Sequence, residues 1–176
     1  MAEDKDLSSG TLVIGLGRFG SAVALTLEKL GYEVLAVEKD SRRVQQFSGR
    51  IPVVEADASS MEALNQLGAR DFHSAVVGIG SSLEASVLIT ANLVDLGMTN
   101  IWAKAISREH SRILRRIGAH HVVAPEFDAG QRTAHLVGGR MIDYIEMDKD
   151  GFAIMKLRPP KEVCGFTLSE LDLRGR

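Results

Sequence analysis

The chain has 176 residues, 45% of them hydrophobic, with 21 Lys and Arg against 23 Asp and Glu for a net charge of −2. That length predicts one domain and leaves room for a fragment of a second, and the nearly balanced charge argues against a strong nucleic-acid footprint. A single cysteine, Cys164, excludes an internal disulfide framework, and no apolar run is long enough to span a bilayer.

Residues 1–10, MAEDKDLSSG, are polar and acidic rather than signal-like and read as a disordered leader. An apolar strand pattern over 11–16 then runs into GxGxxG at Gly15, Gly17 and Gly20, and a helical pattern follows over 18–30. In that context each glycine has a task. Gly15 allows the tight turn, Gly17 lets a pyrophosphate approach the backbone, and Gly20 lets the helix pack on the strand. The helix start offers free N–H groups and a positive dipole end to phosphates. Arg18 and Phe19 lie inside the motif, and the Arg18 guanidinium can reach a phosphate of the bound nucleotide or one across a dimer interface. A second strand pattern over 33–38 ends on Glu38, followed by Lys39. An acid about 20 residues past the motif is placed to accept hydrogen bonds from a ribose. It should also repel a 2′-phosphate, so NADP(H) is expected to bind more weakly than NAD(H), ATP or ADP, although Arg42 and Arg43 are near enough to compensate.

Further strand patterns lie near 52–56, 74–79, 100–105 and 121–124, separated by helical patterns near 40–48, 60–67, 82–97 and 107–116, with another near 127–142. Such βα repeats predict an α/β, Rossmann-like doubly wound parallel sheet with ligands at the carboxyl ends of its strands. Asp40, Ser59 or Ser60, Ser81 or Ser82, and Ser107 sit where helix N-caps are wanted, and Gly31, Gly68, Gly97 and Gly118 where helices end.

Several strand-end residues carry chemistry. Asp57 and Ala58 follow the third strand, near where an adenine would lie, though Asp57 serves equally well as a turn or cap residue. Gly78-Ile79-Gly80 either turns backbone N–H groups to the nucleotide or forms a simple βα turn. Lys104 sits in a strand that should be buried and so needs an anion, either a phosphate or an internal acid. Glu126 follows Pro125 at the end of the sixth strand. A carboxylate there needs a hard cation such as Mg²⁺ between it and phosphates, or else it caps the next helix together with Asp128. His73, His110, His120, His121 and His135 pair with no nucleophile in a recognisable motif, and Cys164 reads as a packing residue.

The helical pattern over 127–142 carries a partly apolar stripe of Ala134, Val137 and Met141. Gly130 and Gly138-Gly139 weaken it but admit another backbone. It either covers the sheet or crosses to a partner subunit. Beyond it, 143–147 and 153–157 look like strands joined by a turn at Lys149-Asp150-Gly151, Pro159-Pro160 breaks the chain, and 167–173 reads as a short capped helix.

The segments GLGRFG from Gly15, LAVEKD from Leu35, Gly78-Ile79-Gly80, NIWAKA from Asn100 and IGAHHVVAPEFDAG from Ile117 resemble the regulator-of-potassium-conductance (RCK, TrkA-N type) domains of Ktr/Trk potassium uptake systems. The resemblance implies a nucleotide-binding Rossmann domain over 11–142, including a crossover helix at 127–142, and then a linker and the beginning of a C-terminal lobe over 143–176. It implies a cytoplasmic regulator rather than an enzyme. Such a protein is peripheral to the inner face of the cell membrane through a membrane-embedded potassium transporter subunit, without membrane insertion or nucleic-acid binding. Homodimers, and octameric rings in the full-length protein, belong to the same expectation. The implied ligands are ATP or ADP, or NAD(H), with Mg²⁺ alongside ATP. By the resemblance Arg18 touches phosphates, Glu38 the ribose, Lys104 a phosphate, and Glu126 a divalent cation. The alternative is a fragment of an NAD-dependent dehydrogenase or sugar-nucleotide enzyme, which would need a substrate domain and a catalytic base.

Overall fold

The computed structural model describes residues 10–139, 141–147, 152–167 and 169–171. It divides into two units, residues 1–125 and 126–176. In the first, strands β1 (Thr11–Ile14), β2 (Val34–Glu38), β3 (Val53–Glu55), β4 (Ser74–Val77), β5 (Ile101–Lys104) and β6 (His121–Val123) alternate with helices α1 (Arg18–Lys29), α2 (Ser41–Phe47), α3 (Met61–Gln66), α4 (Leu83–Asp95) and α5 (Arg108–Arg116). The strands form one parallel sheet in the order β3-β2-β1-β4-β5-β6, the doubly wound arrangement expected from the βα pattern.

The apolar strands read as continuous runs because both faces of the sheet are covered. Leu12, Ile14, Ala75 and Val77 belong to one core cluster, with Leu64 of α3, Leu93 of α4 and Leu114 of α5. Val13 and Val76, at the intervening positions, belong to a second cluster with Ala24 of α1 and Phe47 of α2. Neighbouring residues of a strand thus serve opposite layers, as the period-two alternation of side chains requires.

The helix starts follow from local chemistry. Asp40, Ser60, Ser82 and Ser107 accept hydrogen bonds from the N–H groups of Arg42, Ala63, Ala85 and His110, at 2.9, 3.3, 3.1 and 3.1 Å. Each cap contributes about 1 kcal/mol. Of these five helices only α1 has no capping side chain, because its N-cap is Gly17.

The helix after β6, α6 (Pro125–Val137), begins two residues earlier than its pattern and ends five earlier. Gly139 takes a left-handed φ of +73°, and Met141 and Ile142, expected in the helix, start β7 (Met141–Glu146) instead. The glycine pair outweighs the apolar periodicity that extended the helix to 142. Strand β7 pairs antiparallel with β8 (Ala153–Leu157), as the hairpin pattern predicts. The turn at 149–151 lies outside the described residues, as do Leu168 and everything from 172 onward. Within the second unit, α6 meets β7 through polar contacts. Gln131 donates to Glu146 at 2.7 Å, Arg132 to Asp143 at 2.6 Å, and His135 stacks on Tyr144 with centroids 3.9 Å apart. Thr167 and Glu170 cap each other, the Thr167 N–H donating to Glu170 Oε2 at 2.6 Å and the Glu170 N–H to Thr167 Oγ1 at 3.3 Å.

Candidate functional site

The chain winds outward in both directions from the adjacent strands β1 and β4, so their carboxyl ends mark the switch point where doubly wound sheets bind ligands. Gly15 continues β1, its N–H donating to Val37 O at 2.8 Å. Gly78 continues β4, donating to Ile14 O at 2.8 Å. Gly15 has φ +89°, and a Cβ on it would sit 2.9 Å from Ile79 Cγ1. A Cβ on Gly20 would sit 1.9 Å from Gly15 O, and one on Gly78 would sit 3.1 Å from both Gly15 O and Gly20 Cα. Three glycines thus let β1, α1 and β4 touch backbone to backbone.

Gly17 is different. A Cβ there would meet nothing within 4 Å, and its φ of −69° suits any residue. Neither packing nor dihedral demands glycine, yet the uncapped start of α1 sits directly behind it. The free N–H groups of a helix start bind anions, and only a glycine lets a large anion reach them. Arg18, first in α1, is exposed. Phe19 packs its ring against the second core cluster, which leaves its backbone for any ligand contact.

Glu38 closes β2 and is 7% exposed. Its Oε2 accepts from the Leu16 N–H at 2.7 Å, and its Oε1 from the N–H groups of Lys39 at 2.8 Å and Asp40 at 3.0 Å. Arg43 Nη1 lies 3.6 Å from Oε2. The carboxylate therefore braces the glycine turn against the end of β2, a role the 22-residue separation from Leu16 hides in the sequence.

Lys39 Nζ pairs with Asp57 Oδ2 at 2.5 Å, while Ser59 donates to Asp57 Oδ1 through Oγ at 2.5 Å and through its N–H at 3.1 Å. The Lys39 hydrogen bond, then the Ser59 bonds, lower the Asp57 pKa to about 2. Asp57 is thus a turn residue as well as one half of an ion pair across the ends of β2 and β3. The loop is pinned further by Asn92 of α4, which donates to Ser59 O at 2.9 Å. Ala58 is buried in the first core cluster, so only its backbone remains available. Because the folded pKa of Asp57 is depressed, its contribution is present above the ordinary carboxylate range and is lost as pH falls towards about 2. The side chain is 43% exposed and solvent-screened, so Asp57→Asn is expected to cost less than about 1 kcal/mol at pH 7, and progressively less as pH falls through about 2, in denaturant unfolding.

Lys104, at the end of β5, is 8% exposed, and a Cβ on Gly80 would sit 3.2 Å from its Nζ. The ammonium therefore lies beside the β4–α4 loop. Glu126 lies in the first turn of α6 and belongs to the second unit. Among the described residues no group of three or more His, Cys, Asp or Glu side chains could hold a metal ion.

His110 was unremarkable in the sequence but is fully buried. Burial lowers its pKa, and Nδ1 accepts from the Ile106 N–H at 3.3 Å, so the neutral ring carries its proton on Nε2. His120 Nδ1 accepts from the Ile101 N–H at 3.1 Å, whereas His121 stacks on Trp102 with centroids 4.0 Å apart. A cleft of about 490 Å³ lined by Glu28, Tyr32, Glu33 and Phe72 opens at the amino-terminal end of β2, away from the glycine turn.

The strand order, the glycine turn at the switch point and the carboxylate closing β2 define a nucleotide-binding fold of Rossmann type. The chain belongs to the TrkA-N domain family, whose profile matches residues 11–125. It is similar to the Ktr system potassium uptake protein C of Bacillus subtilis (strain 168), 35% identical over 166 residues that cover 93% of this chain and 75% of that protein. The TrkA-N domain of inner membrane protein ybaL from Escherichia coli shares the fold with a TM-score of 0.66 at 20% identity, over 75% of this chain and 98% of that one. The GsuK channel bound to NAD shares it with a TM-score of 0.59 at 18% identity, over 69% and 22%. GsuK has also been solved bound to ADP, with a TM-score of 0.58 at 19% identity, over 69% and 32%. No helix among the described residues is long and apolar enough to cross a membrane.

Proposed function

We propose that this chain is the nucleotide-binding regulatory subunit of a membrane potassium transporter, acting without catalysis by changing a dimeric or ring assembly when its nucleotide changes. The observation that carries the reading is Gly17, an open glycine at an uncapped helix start that nothing among the described residues requires. Kinship with a Ktr system potassium uptake protein supports the transport context, and in this reading the chain works at the cytoplasmic face of the membrane.

In this reading an adenine nucleotide lies across the ends of β1 and β4, with ATP or ADP as first choice and NAD(H) as second. Gly15, Gly17, Gly20 and the backbone of Phe19 receive its phosphates at the start of α1, where Arg18 adds charge. Glu38 meets the ribose, and Lys39, Asp57 and the Ala58 backbone border the adenine. Gly78, Gly80 and Lys104 line the phosphate side. Glu126 is the carboxylate that would hold a Mg²⁺ accompanying ATP, and the cation would supply charge neutralisation.

Calorimetric titration with AMP, ADP, ATP, NAD and NADH, with and without Mg²⁺, tests this. Arg18→Ala should weaken ATP more than AMP, by about 1.5–3 kcal/mol, and should remove the difference between ATP-bound and ADP-bound assembly in light scattering. Mg²⁺ and ATP should show positive coupling of about 1–3 kcal/mol, most of which Glu126→Gln should remove. No binding of any adenine nucleotide would sink the reading. Unchanged ATP affinity and assembly in Arg18→Ala would make Arg18 a solvated surface residue, and Mg²⁺-independent ATP binding would leave Glu126 as an acid in the first turn of α6 with no metal role.

A further inference from the structure

The ribose edge of the site holds a paired acid and base. Glu38 and Arg43 approach to 3.6 Å, the glutamate side chain 8% exposed and the arginine side chain 50% exposed. On the buried side the carboxylate is occupied by the N–H groups of Leu16, Lys39 and Asp40. Arg43 comes from the first turn of α2, a helix capped by the Asp40 side chain. Two nearby carboxylates already have partners. Asp57 holds Lys39 and Ser59, and Asp40 accepts from the Arg42 N–H.

An acid at the end of the second strand hydrogen-bonds ribose hydroxyls and repels a 2′-phosphate, whereas a nearby arginine accommodates one. Here both groups stand together. A separation of 3.6 Å is longer than a hydrogen bond, so little holds the half-exposed guanidinium in place. Turning it from Glu38 to a 2′-phosphate would exchange a loose contact for a charge-assisted, bidentate one. The planar fork of arginine suits this, and the point charge of lysine does so less well.

We propose that Arg43 is a specificity-determining residue at the ribose edge. It offsets the repulsion from Glu38, so that the site accepts an adenosine ligand phosphorylated on the ribose 2′-oxygen at a modest penalty instead of rejecting it. The inference rests on the nucleotide reading above and assigns to Arg43, which faces Glu38, the compensation that the sequence left open between Arg42 and Arg43.

The test is calorimetric titration of wild type, Arg43→Ala and Arg43→Lys with AMP and with adenosine 2′,5′-bisphosphate, at low and high ionic strength. Wild type should prefer AMP by less than about tenfold at low salt. Arg43→Ala should widen that preference to about 100-fold, and Arg43→Lys should recover part of it. The widening should shrink at high salt, as a charge effect does and a packing effect does not. The same AMP-to-bisphosphate ratio in wild type and Arg43→Ala would overturn the proposal, including the case in which both ligands weaken equally. Failure of wild type to bind AMP, ADP, ATP or NAD would instead overturn the nucleotide reading on which it rests.

Discussion

Gly20→Ala is expected to destabilise the first unit by about 3 kcal/mol or more, at or beyond the usual cost of overpacking. The added methyl would sit 1.9 Å from Gly15 O and 3.1 Å from Gly15 C. These are backbone atoms, and they have nowhere to retreat. Gly15 is held by its bond to Val37 O at 2.8 Å, and Leu16 beside it by Glu38 at 2.7 Å. Relief would require α1 to lift off β1, which would uncover Ala24 and Val13 of the second core cluster. Denaturant unfolding followed by circular dichroism measures the loss. A drop below about 1 kcal/mol would mean that α1 does not pack on β1 as described.

Gly17→Ala should do the reverse. Its Cβ would meet nothing within 4 Å, and φ −69°, ψ −174° is open to alanine. The cost in stability should stay within about 1 kcal/mol, the scale of an N-cap change. Adenine-nucleotide affinity should fall at least about 100-fold, or about 2.7 kcal/mol, because in the proposed reading the methyl would stand between the phosphates and the N–H groups of α1. Titration and unfolding of the same protein check both halves. Retained affinity would place the phosphates elsewhere than at α1. The two glycines lie three residues apart in one motif, yet one substitution reports on folding and the other on binding.

The six strands, the first five helices and their caps were legible in the sequence because the signals are short-range. An apolar run, a capping Asp or Ser and a glycine at a fixed offset act within a turn or two of chain. The choice between Ser59 and Ser60, and between Ser81 and Ser82, was not legible. Adjacent serines carry the same chemistry, and only the path of the loop selects Ser60 and Ser82 as caps. The end of α6 was misjudged because periodicity at Met141 pointed one way and Gly138-Gly139 the other, and the backbone followed the glycines.

By itself the sequence determined the doubly wound class, the position of the glycine turn and the candidate residues at each strand end. Tertiary structure alone decided what those residues touch. Glu38 binds the N–H of Leu16, Lys39 pairs with Asp57, Asn92 ties α4 to Ser59, and Arg43 faces Glu38. It also decided that His110 is buried while Arg18 is exposed, although both lie in the first turn of a helix. The reason is physical. Element type follows from forces between near neighbours in the chain, whereas these contacts join residues up to 33 positions apart and exist only once the packing of helices on the sheet has fixed their distances.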